Sequence, residues 1–487
     1  MTCRPLALFL TFLALTAPAA QARVVLPRVL GHGMVLQREK PVPIWGTAAP
    51  GEAVTVQFHG QQQRTTAAAD GQWRVTLPSM KASSTGAELT ISGTNVIRLR
   101  DVLVGEVWLC SGQSNMEYTM RKNSKVTVPP QPEPNPLTEL ERAHNPQIRI
   151  FLVNRKELAK PDSLHRGWSI AQDSALRAFS APAYFFAQEL QTKLGVPVGV
   201  ISSAVPGSRI EPWISETAFR ADSYYAQPVG GDPGKFYEPM IRPLAPFALR
   251  GFCWYQGESN CFLAETSTYT HKMRTLIESW RGAWQDAALP FYYVQLAPFK
   301  YSESKEPKQP LTPQTLPLFW EAQEAVLAQV PRTGLIVTTD LVTKLDDIHP
   351  PYKWQIGRRL AYLALHDTYG RSEVAACGPV FRSLKTKGQT AEISFQPLQG
   401  RLVSKDGQPL TGFTVAGADG AFVPAQARIK GKRVLVSAPG VARPVAVRFA
   451  WHEASQPNLF SDRGLPARPF RTDKPAAETA GGVSFSR

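Results

Sequence analysis

Between Asp101 and Thr339 the chain repeats one grammar: a short apolar, β-branched or aromatic run, a small polar or glycine-rich turn, then a stretch with helical apolar spacing. The runs are Gly105–Cys110, Ile148–Val153, Val198–Ile201, Arg250–Tyr255, Phe291–Gln295 and Gly334–Thr339. Buried strands alternating with helices favour a parallel sheet covered on both faces. Helices are expected at Ala183–Leu194, ended by Gly195, at Tyr269–Trp284 and at Leu318–Val330. Four runs open into turns rich in reactive side chains: Gln113-Ser114-Asn115-Met116, Pro206-Gly207-Ser208-Arg209, Gln256-Gly257-Glu258-Ser259-Asn260 and Asp346-Asp347-Ile348-His349-Pro350. Open α/β sheets hold their ligands at the carboxyl ends of the strands, so these turns are expected to face one site.

At 487 residues the chain is too long for one ordinary core. Residues 23–100 alternate apolar and polar positions between turns such as Pro50-Gly51 and Asp70-Gly71, which predicts an N-terminal β-sandwich-like domain. The α/β pattern is assigned to 101–375, with 121–146 as an excursion rich in proline and polar residues. Short alternating strands return over 376–473 as a C-terminal β-rich domain, and 474–487 is expected to be a flexible tail. Residues 1–22 have a basic start at Arg4, an apolar run from Pro5 to Leu15 and the small-residue signal Ala20-Gln21-Ala22. They read as a signal peptide, placing the mature protein in the periplasm or outside the cell with Arg23 at its start. No later run is apolar enough to span a membrane.

The net charge of +15 becomes +14 when Arg4 leaves with the signal. Lysine and arginine are scattered without a dense basic block, which disfavours nucleic acid as a partner. Cys110, Cys253, Cys261 and Cys377 remain after the signal, without metal-ligand spacing, so no cofactor is expected. Cys253 and Cys261 are either a loop disulfide or two buried thiols.

A serine hydroxyl attacks an ester only when a base removes its proton, and the base works best when a carboxylate fixes its tautomer. Ser114 is the candidate nucleophile; Met116 stands where the second glycine of a Gly-x-Ser-x-Gly elbow would be. His349 is the candidate base, with Asp346 three residues upstream and Asp347 as the alternative carboxylate. Asp162 and His165 repeat that spacing in a polar stretch away from any strand end. Gly207 and Gln256, or Asn260 in place of Gln256, are candidate donors to an oxyanion beside the Ser114 amide. Trp254, Tyr255 and Trp213 form either an aromatic wall for a sugar or core. Glu258 is placed at the substrate site as a supporting hydrogen-bonding group, and Arg209 either meets a substrate carboxylate or pairs with Glu211.

Gly112-Gln113-Ser114-Asn115-Met116, Trp254-Tyr255-Gln256-Gly257-Glu258-Ser259-Asn260 and Asp346-Asp347-Ile348-His349-Pro350 together resemble the sialate O-acetylesterase family of SGNH hydrolases. Met34-Val35-Leu36-Gln37 and the stretch Gly464 to Asp473 extend the resemblance over nearly the whole mature chain. It implies a flavodoxin-like hydrolase core with accessory β-structure and metal-independent removal of acetyl groups from sugars. It also implies Ser114 as nucleophile, His349 as base, Asp346 as acid, and Gly207 and Gln256 in the oxyanion region. The sequence departs from the family at Ala204-Val205-Pro206-Gly207, where a Trp-Gly-Gly type of turn is often found. Acetylated xylan or xyloglucan are alternatives to a sialate ester, and a carbohydrate-binding protein on a disabled scaffold is a non-enzymatic one.

Overall fold

The computed structural model describes residues 23–153, 167–225, 230–305 and 310–473. The expected signal peptide over 1–22, the Asp162 and His165 pair and the expected tail over 474–487 lie outside the described residues. One 17-residue strand, β1 (Val96–Gly112), is the spine of the molecule. Its first half alternates between buried and open positions, pairing antiparallel with Ser83–Ser92, and Val35–Gln37 joins it in parallel. From Val102 to Gly112 every residue is buried. Covered on both faces, this half no longer needs polar alternation, which is why its sequence reads as a continuous apolar run.

Beyond Asp101, which takes a left-handed φ of 58°, β1 enters the parallel sheet. The other strands there are β2 (Ile148–Leu152), β3 (Val198–Ala204), β4 (Gly251–Tyr255), β5 (Phe291–Val294) and β6 (Thr333–Ile336). Their order is β6-β5-β4-β1-β3-β2, all parallel, with Ser169–Ile170 antiparallel at the β2 edge. The chain builds to one side of β1 through β2 and β3, then to the other through β4, β5 and β6. That reversal opens a crevice beyond the end of β1.

Helices α1 (Ala181–Leu194), α2 (Ser267–Trp284), α3 (Thr315–Gln329) and α4 (Lys353–Asp367) cover the sheet. The first three lie where apolar spacing predicts them. Ser180 caps α1 by accepting from the Ala183 amide, and Gly195 ends it at φ 65°. Helix α4, just beyond Pro350-Pro351, is not among the helices expected within 101–375. It packs against α1, and Gly357 permits the approach: a Cβ there would lie 2.6 Å from the Pro182 carbonyl oxygen. Strand register sends Trp108 and Trp254 to opposite faces, where Trp108 meets Phe186 of α1 and Trp254 meets Trp280 of α2.

The apolar core runs without interruption from Val24 to Leu365, so the N-terminal β-structure and the parallel sheet share it, and β1 crosses position 100 unbroken. A second core, Ala391 to Phe470, lies within C-terminal β-structure that includes two four-stranded antiparallel sheets. Among the described residues no helix is long and apolar enough to cross a membrane.

Candidate active site

The site begins where β1 stops. Gly112 has φ 143°, and a Cβ there would sit 2.1 Å from the Tyr255 carbonyl oxygen of β4, so a side chain is excluded on both counts. The Gln113 amide donates to that oxygen at 3.0 Å, and the Val205 amide at the end of β3 donates to the Gly112 carbonyl at 3.0 Å. With both flanks tied, the chain turns into the single helical turn Ser114–Glu117, whose Met116 and Glu117 amides return to the Gln113 carbonyl. Ser114 is half-buried at the start of this turn.

His349 arrives on the loop after β6. Its Nε2 lies 3.0 Å from Ser114 Oγ, within reach for direct proton transfer. Burial, and then the Lys353 ammonium, hold the His349 pKa below its ordinary value, with Asp347 opposing them. The imidazole is therefore neutral near pH 7 and able to accept a proton.

The carboxylate beside the imidazole belongs to Asp347, in place of the Asp346 expected from the sequence. Asp347 Oδ1 accepts from the His349 amide at 2.9 Å and lies 3.5 Å from Nδ1. Both aspartates are exposed, but Asp346 contributes to the field at Lys300, whose pKa is raised first by its bond to Glu303 and only weakly by Asp346. The short backbone bond turns the residue two before the histidine toward the ring. Asp347→Asn is accordingly expected to slow turnover by about tenfold or more, and Asp346→Asn by less. Parallel kinetics on both variants check this, and the reverse ranking would return the role to Asp346.

The expected oxyanion donors separate. Gly207 lies exposed in the turn after β3 at φ 69°. Among the described residues its amide donates to no backbone carbonyl, and neither does that of Ser114. Gln256 is fully buried and its amide is committed: Nε2 donates to the Ser208 carbonyl and to Asn260 Oδ1, and Oε1 accepts from Tyr269. Asn260 is equally occupied, accepting from Gln256 and the Ile210 amide and donating to Glu211 and Glu265. Both side chains brace the turn from inside.

The expected substrate wall is also core. Trp254 is 1% exposed and meets Trp213 and Trp280 edge-on, and Tyr255 and Trp213 are fully buried. Glu258 is buried against Asn115, behind the nucleophile rather than on the substrate side. Arg209 is half-buried in the field of Asp232, while Glu211 is taken by Lys272 and Asn260. The aromatic ring next to His349 is that of half-buried Tyr118, with centroids 6.5 Å apart. Cys253 and Cys261 are separate buried thiols, and Cys253 is paired in register with Cys110 of β1. Among the described residues no group of three or more His, Cys, Asp or Glu is placed to hold a metal ion.

Asn115, Tyr118 and Lys353 are the site residues that sequence reasoning missed. Asn115 stands in the quoted serine motif, and Lys353 lies four residues beyond the base. Those positions were the signal available.

Comparison with known proteins matches residues 104–366 to a carbohydrate esterase family described as sialic acid-specific acetylesterase. The sialate O-acetylesterase of Homo sapiens is 29% identical over 496 residues, covering 91% of this chain and 91% of that protein. The Mus musculus sialate O-acetylesterase is 29% identical over 422 residues, 72% of this chain and 75% of that protein. Among solved structures, a carbohydrate acetylesterase from Xanthomonas citri superposes with a TM-score of 0.80 at 36% identity, covering 92% of this chain and 99% of that one.

Proposed function

Because the chain belongs to the sialic acid-specific acetylesterase family of carbohydrate esterases, we propose that it removes O-acetyl groups from carbohydrates through an acetyl-enzyme on Ser114. The observation that carries this reading is the 3.0 Å approach of His349 Nε2 to Ser114 Oγ at the carboxyl edge of the sheet.

In the first half-reaction Ser114 Oγ attacks the acetyl carbonyl carbon as His349 takes the hydroxyl proton. The carbonyl oxygen becomes an oxyanion, received by the amides of Ser114 and Gly207. Collapse expels the sugar oxygen, which takes the proton back from His349 Nε2. Water then attacks the acetyl group with His349 again as base, and acetate leaves from a regenerated serine. Asp347 favours the imidazolium formed in each half. The reversal of strand order at β1 supports a flavodoxin-like SGNH arrangement, with the flanking β-structure as bracing. One such brace is Glu453 of the C-terminal β-structure, which accepts from the Ser302 amide at 2.9 Å.

Acetate release from a panel of acetylated sialosides, xylans and xyloglucans tests the reading and ranks the sugars, and no release from any of them would refute it. We further propose export to the periplasm or medium, on the 1–22 pattern. Mass spectrometry of the recovered protein is expected to find Arg23 at its start; an intact amino terminus held in membranes would contradict export.

A further inference from the structure

The neighbours of the two reacting residues are joined to each other. Asn115 follows Ser114, and Ile348 precedes His349. Asn115 Nδ2 donates to the Ile348 carbonyl at 3.0 Å and to Glu258 Oε1 at 2.5 Å, while its Oδ1 accepts from the Lys353 ammonium. The three side chains are buried: Lys353 is 0% exposed, Asn115 1% and Glu258 3%. They come from separate segments, namely the turn after β1, the short helix Glu258–Cys261 after β4, and the first residue of α4.

An asparagine amide has nearly the same shape in either of its two orientations. An ammonium on the Oδ1 side, with a carboxylate and a carbonyl on the Nδ2 side, leaves one of them favourable. Taking charged side chains out of water costs more than their mutual attraction commonly returns, and here the two charges meet only through Asn115. A lysine and a glutamate buried directly behind the nucleophile therefore call for a role in the site.

We propose that Lys353, Asn115 and Glu258 are positioning residues: a buried clamp that holds the nucleophile turn and the base loop in register and so fixes the approach of Ser114 Oγ to His349 Nε2. The inference rests on the reading of Ser114 and His349 as the reacting pair. Small displacements of reacting atoms cost about 100-fold in rate, so the clamp acts on kcat more than on KM.

The same ammonium also acts through its charge. The charged groups facing His349 are Lys353, Lys122 and Asp347. Burial pulls the Lys353 pKa down to about 7, with Glu258 opposing. Below that pH the ammonium is protonated and disfavours a charged imidazole beside it.

The test uses the full chain and p-nitrophenyl acetate, an activated ester that needs no sugar contacts. Lys353→Met is expected to lower kcat by about 30- to 100-fold with KM within about threefold, and to move the acid limb of kcat/KM to higher pH. Because this change strands Glu258, the double variant Lys353→Met/Glu258→Gln removes both charges while leaving Asn115 an amide acceptor. It is expected to unfold near the native temperature and to stay as slow as the single variant. If Lys353→Met does not fold, the double variant carries the test alone. Native kcat in a folded double variant, or a change confined to KM, would show that the pair only balances charge and would overturn the clamp. Ser114→Ala runs beside these as a control. Full turnover in that control would remove the reading on which the clamp rests, whereas its loss alongside native kcat in the lysine variants would sink the clamp alone.

Discussion

Ser114→Ala is expected to reduce kcat for acetate release by about 10⁴- to 10⁶-fold, the range seen when the nucleophile of a serine hydrolase is removed. Among the described residues no other hydroxyl bonds to His349 Nε2, so the base would have no alcohol to activate. What survives is direct attack by water on the bound ester. The change deletes a single oxygen from a half-buried residue, and the turn is held by the Gln113 carbonyl and by strand contacts that do not involve Oγ. Stability should therefore stay within about 1 kcal/mol of the parent. Acetate release measured beside thermal unfolding separates the two effects. Activity within tenfold of the parent in a folded variant would exclude an acetyl-Ser114 mechanism.

His349→Ala should be nearly as damaging, with a loss of about 10⁴-fold or more, because the serine proton then has no acceptor. The pH profile of the parent gives an independent check on the same residue. A base must be neutral to act, so kcat/KM rises with pH as His349 loses its proton. Burial is the first cause that lowers its pKa and the Lys353 ammonium the second, while Asp347 only partly opposes them. The acid limb should thus lie below the ordinary histidine value of about 6.5. The variant should lose that limb and keep only a slow rate that climbs with hydroxide. A parent limb above about 7 would mean that Asp347 dominates the field at the imidazole, contrary to the present geometry.

The failed expectations share a cause. Gln256 and Gly207 both follow strands of the parallel sheet, and from the sequence each is a polar turn residue able to donate to an oxyanion. Packing separates them. The turn at Gly207 opens to solvent, whereas Gln256 points inward to Tyr269, Ser208 and Asn260. Trp254 fails as a sugar wall because strand register turns it toward α2. Asp346 and Asp347 differ by one position in a loop, and only the backbone bond from the His349 amide selects between them.

The sequence by itself determined the parallel strands, three of the four large helices among the described residues, the serine at the end of β1 and the histidine after β6. Each of these is written in local order: apolar period, capping residues, and the abrupt change from apolar run to polar turn. The tertiary structure alone decided which polar side chains face the crevice and which face the core. It also decided that a lysine at the start of α4 reaches Asn115, 238 positions away. Local pattern fixes where a chain bends, because bending depends on a few neighbouring dihedral angles. Which side chain meets which depends on strand order and helix packing, and these bring together residues whose separation along the chain carries no local signal.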